Sequence, residues 1–255
     1  MRILCTNDDG IHAPGLQIVE QIARALSDDV WIVAPETDQS GVSHSLSLND
    51  PLRLREVGPR HYAVRGTPTD CVIMGVKYLM KDTPPDIILS GVNRGRNAAE
   101  DVIYSGTVAA ALEGTVLGVP SFALSQAYAF TTKHLPHWDT AIAHAPGLIK
   151  KILGEGLPRD VLVNINFPDC LPADVKGVAV STQGKRDQEL LRIEPRSDGR
   201  GNPYYWIAFS RGGGNMGAGP GSDLAALNEH KISVTPLRLD LTDEPFMTKL
   251  AALLG

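Results

Sequence analysis

Short apolar segments alternate with helical patterns along the first two thirds of this chain, and this alternation restricts the fold more than any other feature. Between the segments, apolar residues recur at helical spacing, as at Leu16, Val19 and Ile22. Strands without polar alternation are buried on both faces, and helical connections make such strands parallel. We therefore predict an α/β protein in which a mostly parallel sheet lies between two helical layers. The predicted strands lie at residues 3–5, 30–34, 62–64, 86–90, 121–124 and 161–165.

The pattern changes after the predicted core, residues 1–175. Residues 176–230 combine charged stretches, a strand pattern at 204–207 and a glycine-rich stretch at 211–221. We interpret them as an extended hairpin and loop elaboration of a single domain, which a strand and a helix at 231–255 complete. The aromatic residues of this elaboration are too few to bury it alone, so packing against another subunit is a hypothesis for it.

Composition excludes several classes of protein. The net charge of −5 provides no basic surface for a nucleic-acid polymer, although a mononucleotide remains compatible with it. No apolar run approaches the roughly 20 residues of a membrane span. Cys5, Cys71 and Cys170 are odd in number and far apart, which favours buried reduced thiols over disulfides or a zinc site. The chain begins directly with a strand pattern and leaves no room for a signal peptide, so we expect a cytoplasmic protein.

Two adjacent carboxylates, Asp8 and Asp9, follow the first predicted strand. Neighbouring strand residues point to opposite faces, so the pair can share a ligand only if the backbone turns there. Asn7 and Gly10 are residue types that permit such a turn. Close carboxylates repel each other, and a bound cation removes that repulsion. The alternative is an ordinary polar turn that caps the next helix.

Ligands of open parallel sheets bind at the carboxyl ends of the strands. The segments 39–45 and 90–97 follow the second and fourth predicted strands, and both contain hydroxyl or amide side chains. With Asp8 they supply the oxygen ligands that Mg²⁺ or Mn²⁺ prefers, whereas zinc would call for a histidine or cysteine beside the pair. Taken singly, Ser40 and Asn93 are also typical of ordinary loops and turns.

Ser105, Gly106 and Thr107 open a predicted helix, where hydroxyl and free backbone N–H groups favour phosphate binding. An ordinary helix cap is the alternative. Beside a carboxylate pair, however, the combination indicates metal-assisted hydrolysis of a phosphate ester. Two more polar positions have open interpretations. His44 is a general acid or a solvated loop residue, and residues 219–223 are a ligand loop or a turn with a helix cap.

These residues belong to a longer series of segments through which the chain resembles the SurE family of nucleotidases. The order and spacing of the series extend over nearly the whole chain. The segment 91–97 departs from the family's usual pattern because Arg96 precedes Asn97, and Ala98-Ala99 follow where leucine-glycine is common. We therefore expect the substrate-side loop to differ in its substrate preference. The matching segments are Asn7-Asp8-Asp9-Gly10, His12-Ala13-Pro14-Gly15, Ala34-Pro35, Ser40-Gly41, Gly66-Thr67-Pro68-Thr69-Asp70-Cys71, Ser90-Gly91-Val92-Asn93, residues 101–111, Asn164-Ile165-Asn166 and Gly219-Pro220-Gly221-Ser222-Asp223.

The resemblance implies a three-layer, Rossmann-like core and a C-terminal part that forms a homodimer or homotetramer, often with exchanged segments. It also implies divalent-metal-dependent hydrolysis of nucleoside 5′- and 3′-monophosphates, and activity on short polyphosphate. The metal ligands implied for this chain are Asp8, Asp9, Ser40 and Asn93.

Our hypothesis for the reaction is that one Mg²⁺ or Mn²⁺ ion per subunit polarises a phosphoryl oxygen and positions water for in-line attack. Ser105, Gly106 and Thr107 would bind the phosphate, with Asn97 as a further candidate. The catalytic residues would be Asp8 and Asp9, and either one could also act as general base or nucleophile. The alternatives are a nucleotide-binding sensor or scaffold without catalysis, and a metal-dependent deacetylase. A deacetylase of this kind requires a histidine directly before the Asp8-Asp9 pair, where this chain has asparagine.

Overall fold

The computed structural model describes residues 1–129, 131–186, 191–209 and 219–255. Within them, nine strands form one sheet and two form a separate antiparallel ribbon. Most of the glycine-rich stretch at 211–221 lies outside the described residues. The strands are β1 (Arg2–Thr6), β2 (Asp29–Pro35), β3 (Arg53–Gly58), β4 (His61–Arg65), β5 (Ile87–Arg94), β6 (Ser121–Gln126), β7 (Val161–Phe167), β8 (Val178–Val180), β9 (Leu191–Ser197), β10 (Pro203–Phe209) and β11 (Ile232–Arg238).

Helices cover both faces of the large sheet. Strand β1 shows the division. Ile3 and Cys5 pack with helices α1 (Pro14–Arg24) and α5 (Trp138–Glu155), while Leu4 packs with α2 (Pro68–Ile73) and α4 (Gly106–Val116) on the other face. Side chains that alternate between two buried faces explain why the strand is apolar throughout. The helices are α1 (Pro14–Arg24), α2 (Pro68–Ile73) with its π-helical continuation (Met74–Leu79), α3 (Asp101–Tyr104), α4 (Gly106–Val116), α5 (Trp138–Glu155), α6 (Asp223–Asn228) and α7 (Glu244–Leu254).

The strand order is β3-β4-β2-β1-β5-β6-β7-β11-β8, and the six strands from β4 to β7 are parallel. The prediction of a three-layer, mostly parallel α/β fold is confirmed. The chain leaves β1 toward β2 on one side and later returns to β5 on the other side. The boundary between β1 and β5 is thus a topological switch point, where open α/β sheets bind their ligands. The segment after β1 carries the carboxylate pair, and the last residues of β5 include Asn93.

The two edge strands of the large sheet, β3 and β8, lack the apolar pattern of the core and were not predicted. Strand β3 is mostly exposed and reads Arg-Leu-Arg-Glu-Val-Gly, so its charges resemble a loop in sequence. Charged residues are common on sheet edges, where they discourage pairing with other chains. Strand β8 has only three residues and pairs with β11, which itself runs antiparallel to β7. The boundaries at residues 175 and 230 stay a prediction.

The three cysteines, Cys5, Cys71 and Cys170, are free and buried. Burial raises the pKa of Cys5 and of Cys71 well above the ordinary thiol value, so both are protonated and unreactive. Of the helices that the structure describes, none has the length and apolar character needed to cross a bilayer.

Candidate active site

The chain turns away from β1 immediately before the carboxylate pair. The side chain of Asn7 closes this turn, since its Nδ2 donates to the Gly10 carbonyl at 3.0 Å and its Oδ1 accepts the Gly10 N–H at 3.3 Å. Gly10 has a φ of +103°, which a residue with a side chain adopts only under strain. The turn leaves Asp8 only 4% exposed, whereas Asp9 is partly exposed. The predicted departure from the strand is therefore present.

The first turn of α4 lies directly on Asp8. A Cβ atom added to Gly106 would stand 2.6 Å from the Asp8 Cβ, so only glycine permits this approach. The Thr107 hydroxyl donates to Asp8 Oδ1 at 2.5 Å. Ser105 caps the helix through its Oγ, which accepts the Val108 N–H at 3.0 Å. The N–H groups of Gly106 and Thr107 have no acceptor within the helix and are available to an anion.

Ser40 and Asn93 are connected to the carboxylate pair through their neighbours in sequence. The Gln39 N–H donates to the Asp8 carbonyl at 2.8 Å. Burial raises the pKa of Asp9 and hydrogen bonding to the backbone of Arg94 opposes that rise, so the two residues are neighbours. The four residues that the SurE resemblance implies as metal ligands thus come from three neighbouring segments at the switch point.

The side chains of Ser40 and Asn93 both keep an oxygen available. The Ser40 hydroxyl donates to Asp38 Oδ1 at 2.7 Å, which leaves its lone pairs free. Asn93 uses its Nδ2 to donate to the Gly95 carbonyl at 3.0 Å, which leaves its Oδ1 free. Asp38 was not singled out in the sequence, although a carboxylate two residues before Ser40 is a signal that could have identified it.

Electrostatics at the pair favour a cation. Burial, with a smaller contribution from Asp9, raises the pKa of Asp8 to about 7 despite the stabilising Thr107 hydrogen bond. Burial also raises the pKa of Asp9, and the nearby Asp38 adds to that rise. Carboxylates that resist ionisation without a counter-charge are what a metal ion would stabilise.

The donor set fits a hard cation. Among the residues that the structure describes, no group of three or more His, Cys, Asp and Glu side chains could hold a metal ion. A cation bound at Asp8 and Asp9 would therefore need hydroxyl and amide oxygens as further ligands. Ser40 and Asn93, on the segments that contact the pair, offer one of each. Oxygen donors of this kind suit Mg²⁺ or Mn²⁺ better than zinc.

Asn97 is buried beneath the same edge of the sheet. Its Nδ2 donates to Ser125 Oγ at 3.0 Å, and its backbone carbonyl accepts hydrogen bonds from the amides of Asn164 and Asn166. The two β7 asparagines were noted in the sequence only as part of the SurE resemblance. Their role as supports of Asn97 depends on a contact between distant segments.

The structure shows specific contacts for His44 and for residues 219–223. His44 is an exposed loop residue, and its Nε2 lies 2.9 Å from Glu113 Oε2 on α4. The contact ties the loop that carries Ser40 to the helix that carries Thr107. Ser222 caps α6, since its Oγ accepts the Ala225 N–H at 3.2 Å. The cap interpretation of residues 219–223 is confirmed.

The metal-free protein should lose stability as pH rises, because Asp8 binds a proton more tightly in the folded state than in the unfolded chain. This contribution is fully present below about pH 4 and is lost as pH rises through about 7. Asp8→Asn removes it and keeps the acceptor for Thr107. We expect the variant to gain on the order of 4 kcal/mol relative to wild type between about pH 4 and about pH 8. Urea unfolding in EDTA measures this difference, with the exposed Asp28→Asn as control. Parallel pH profiles for wild type and Asp8→Asn would contradict it.

Comparison with known proteins found one matching protein family and several close relatives. The family model described as "Survival protein SurE" matches residues 3–190. A curated relative from Rhodopseudomonas palustris (strain TIE-1), named 5′-nucleotidase SurE, is 67% identical over 251 residues and 98% of each chain. Relatives of the same name from Rhodopseudomonas palustris (strain BisB5) and Bradyrhizobium sp. (strain ORS 278) are 66% and 64% identical over 100% of both chains.

A solved structure agrees with the sequence comparisons. The crystal structure of the SurE protein from Aquifex aeolicus superposes with a TM-score of 0.84. It covers 100% of both chains at 37% sequence identity. The similarity therefore extends over the site described above and over the C-terminal elements.

Proposed function

This chain belongs to the SurE family, and from that premise we propose that it is a 5′-nucleotidase, a divalent-metal-dependent phosphatase that converts nucleoside 5′-monophosphates to nucleoside and phosphate. The observation that carries the proposal is the position of α4. Its first turn, with available N–H groups, lies on a buried carboxylate at the switch point of the sheet. An anion site and a cation site in direct contact suit a phosphate ester bridged to a metal ion.

Asp8, Asp9, Ser40 and Asn93 would hold one Mg²⁺ or Mn²⁺ ion per subunit. When bound, the ion supplies electrostatic stabilisation to the phosphoryl oxygens and makes water a better nucleophile. Thr107 orients Asp8 through its hydroxyl. Asp38 orients Ser40 in the same manner. Such supporting hydrogen bonds tune ligand affinity in metal sites generally.

The backbone N–H groups of Gly106 and Thr107 would bind the phosphate oxygens. The single hydroxyl hydrogen of Thr107 is already donated to Asp8, so its contact with phosphate would be through the backbone. Ser105 orders this turn as the helix cap, and Asn97 lies on the adjoining segment. In the reaction, water adds to phosphorus, the ester P–O bond breaks, and the nucleoside leaves as an alcohol after gaining a proton. Asp9, the more exposed carboxylate, is better placed than Asp8 to exchange protons with water.

A phosphate-release assay tests the proposal. Its substrates are AMP, GMP, CMP, UMP and 3′-AMP, and each is assayed with Mg²⁺, with Mn²⁺ and with EDTA. We expect release that depends on the added metal and is lost in EDTA. Binding of nucleotides without release under all metal conditions would instead support a sensor, an alternative that the relatives' names do not favour. Short polyphosphate belongs in the same assay, because the resemblance implies activity on it.

We further propose a homodimer or homotetramer. The ribbon of β9 and β10 exposes Trp206 and Ile207, and α7 exposes Phe246 and Leu253, each to more than half of its surface. Apolar surfaces of this kind are typical of subunit interfaces. Light scattering of the purified protein tests the proposal, and a monomer at micromolar concentration would contradict it. A cytoplasmic location is proposed as well, and the three free cysteines support it.

A further inference from the structure

A second set of polar contacts holds the connecting segment, residues 97–104, which joins the end of β5 to α4. The segment begins with Asn97, a proposed phosphate-binding residue, and ends beside the cap Ser105. Asn97, Ala98 and Ala99 are buried although they belong to no helix or strand. Buried backbone outside regular structure needs hydrogen-bond partners from elsewhere. Those partners identify what determines the position of the segment.

One set of partners comes from the sheet. Asn166 Oδ1 accepts the Asn97 N–H at 2.8 Å. The amides of Asn164 and Asn166 donate to the Asn97 carbonyl at 2.8 Å and 3.0 Å. Both groups of the Asn97 backbone are thereby satisfied by β7, and this end of the connecting segment is fixed.

The other set centres on Asp223, the first residue of α6, which is 1% exposed. Its Oδ2 accepts the Ala99 N–H at 2.8 Å. Its Oδ1 accepts the Gly184 N–H at 2.9 Å and the Leu224 N–H at 2.7 Å. One carboxylate thus joins the connecting segment to the chain that follows β8.

That chain, residues 183–186, runs along the connecting segment and contacts it repeatedly. Gln183 Nε2 donates to the Ala99 carbonyl at 2.9 Å. The Arg186 guanidinium pairs with Asp101 at 2.5 Å and lies 5.8 Å from the centre of the Tyr104 ring. Asp223 therefore holds both sides of this contact at once.

We propose that Asp223 is a positioning residue for phosphate binding, because it fixes Ala99 and residues 183–186 against each other. This role rests on the proposed function. Loss of its carboxylate leaves the N–H groups of Ala99, Gly184 and Leu224 without this acceptor, and the connecting segment can then shift. The shift would displace the start of α4, which would contact phosphate, whereas β7 still holds Asn97. Asp8 and Asp9 are held by other contacts, the Asn7 turn and the Arg94 backbone, so metal binding should be preserved.

The test compares Asp223→Ala with wild type in steady-state hydrolysis of AMP and in calorimetric titration with Mn²⁺. We expect KM for AMP to rise about tenfold or more, while kcat changes less than about threefold. The Kd for Mn²⁺ should stay within about twofold of wild type. Asp223→Asn retains one acceptor oxygen and should give an intermediate KM. Asp198→Ala is the control, because Asp198 also accepts backbone N–H groups but lies at the exposed turn of the β9–β10 ribbon.

If Asp223→Ala does not fold, Gln183→Ala provides the test, because Gln183 is exposed and its substitution removes one contact to Ala99. It should raise KM about threefold. An unchanged KM in a folded variant, or a Kd for Mn²⁺ that rises together with KM, would overturn the proposal. If wild type releases no phosphate from AMP, the proposed function fails. The Kd for AMP in EDTA then still tests the positioning role, and equal AMP affinities for wild type and variants would overturn it.

Discussion

Asp8→Asn should lower metal-dependent release of phosphate from AMP by about a thousandfold or more, the scale of losing a principal catalytic group. The substitution removes the negative charge of the buried carboxylate and keeps its shape. The new amide oxygen can still accept the Thr107 hydroxyl, so α4 should remain in place. Activity with saturating Mn²⁺, circular dichroism and thermal unfolding test this expectation together.

Asp38→Asn is the matched control for charge at the site. Asp38 is exposed, hydrogen-bonds Ser40 and acts on Asp8 and Asp9 only through its charge, so its loss should lower activity by about tenfold to a hundredfold, as for other residues that support metal ligands. Retention of more than about a tenth of the wild-type activity by folded Asp8→Asn would remove Asp8 from the proposed metal site. The same result would direct attention to Asp9 as the principal carboxylate.

Gly106→Ala should have the next largest effect, a fall of about a hundredfold in kcat/KM. The added methyl group would stand 2.6 Å from the Asp8 Cβ and 3.1 Å from Pro68 Cγ, so α4 or the carboxylate turn must move. Both the proposed metal site and the proposed phosphate site lie at this contact. Overpacking of this kind also lowers stability, here by about 1–3 kcal/mol.

Gly147→Ala is the control for Gly106→Ala. It measures the general effect of replacing a helical glycine by alanine, without changing the contact between α4 and Asp8. Gly147 lies inside α5, and a Cβ there would meet no atom within 4 Å. Its substitution should leave kcat/KM unchanged and stabilise the protein by about 0.5–1 kcal/mol. Equal activities for Gly106→Ala and Gly147→Ala would mean that the approach of α4 to Asp8 is not needed for catalysis.

Local sequence patterns were sufficient for the core of the fold. Strands such as β1 and β2 are buried on both faces, so a run of consecutive apolar residues is enough to predict them. Edge strands lack this apolar pattern. The charged β3 and the three-residue β8 are strands because a neighbouring strand offers hydrogen bonds, and that neighbour lies elsewhere in the chain for β8. The family, the class of fold and the nucleotidase activity expected from the motifs are supported by the comparisons.

The sequence by itself determined the α/β core and a carboxylate pair at the end of its first strand, because apolar runs and adjacent charges are local properties of the chain. Only the tertiary structure decided what surrounds that pair. The contacts of Thr107 with Asp8, of His44 with Glu113 and of Asp223 with Ala99 join residues that are 99, 69 and 124 positions apart. Hydrogen bonds over such separations depend on how strands and helices pack. Burial in that packing also raises the pKa of Asp8, and no spacing of residues in the sequence encodes it.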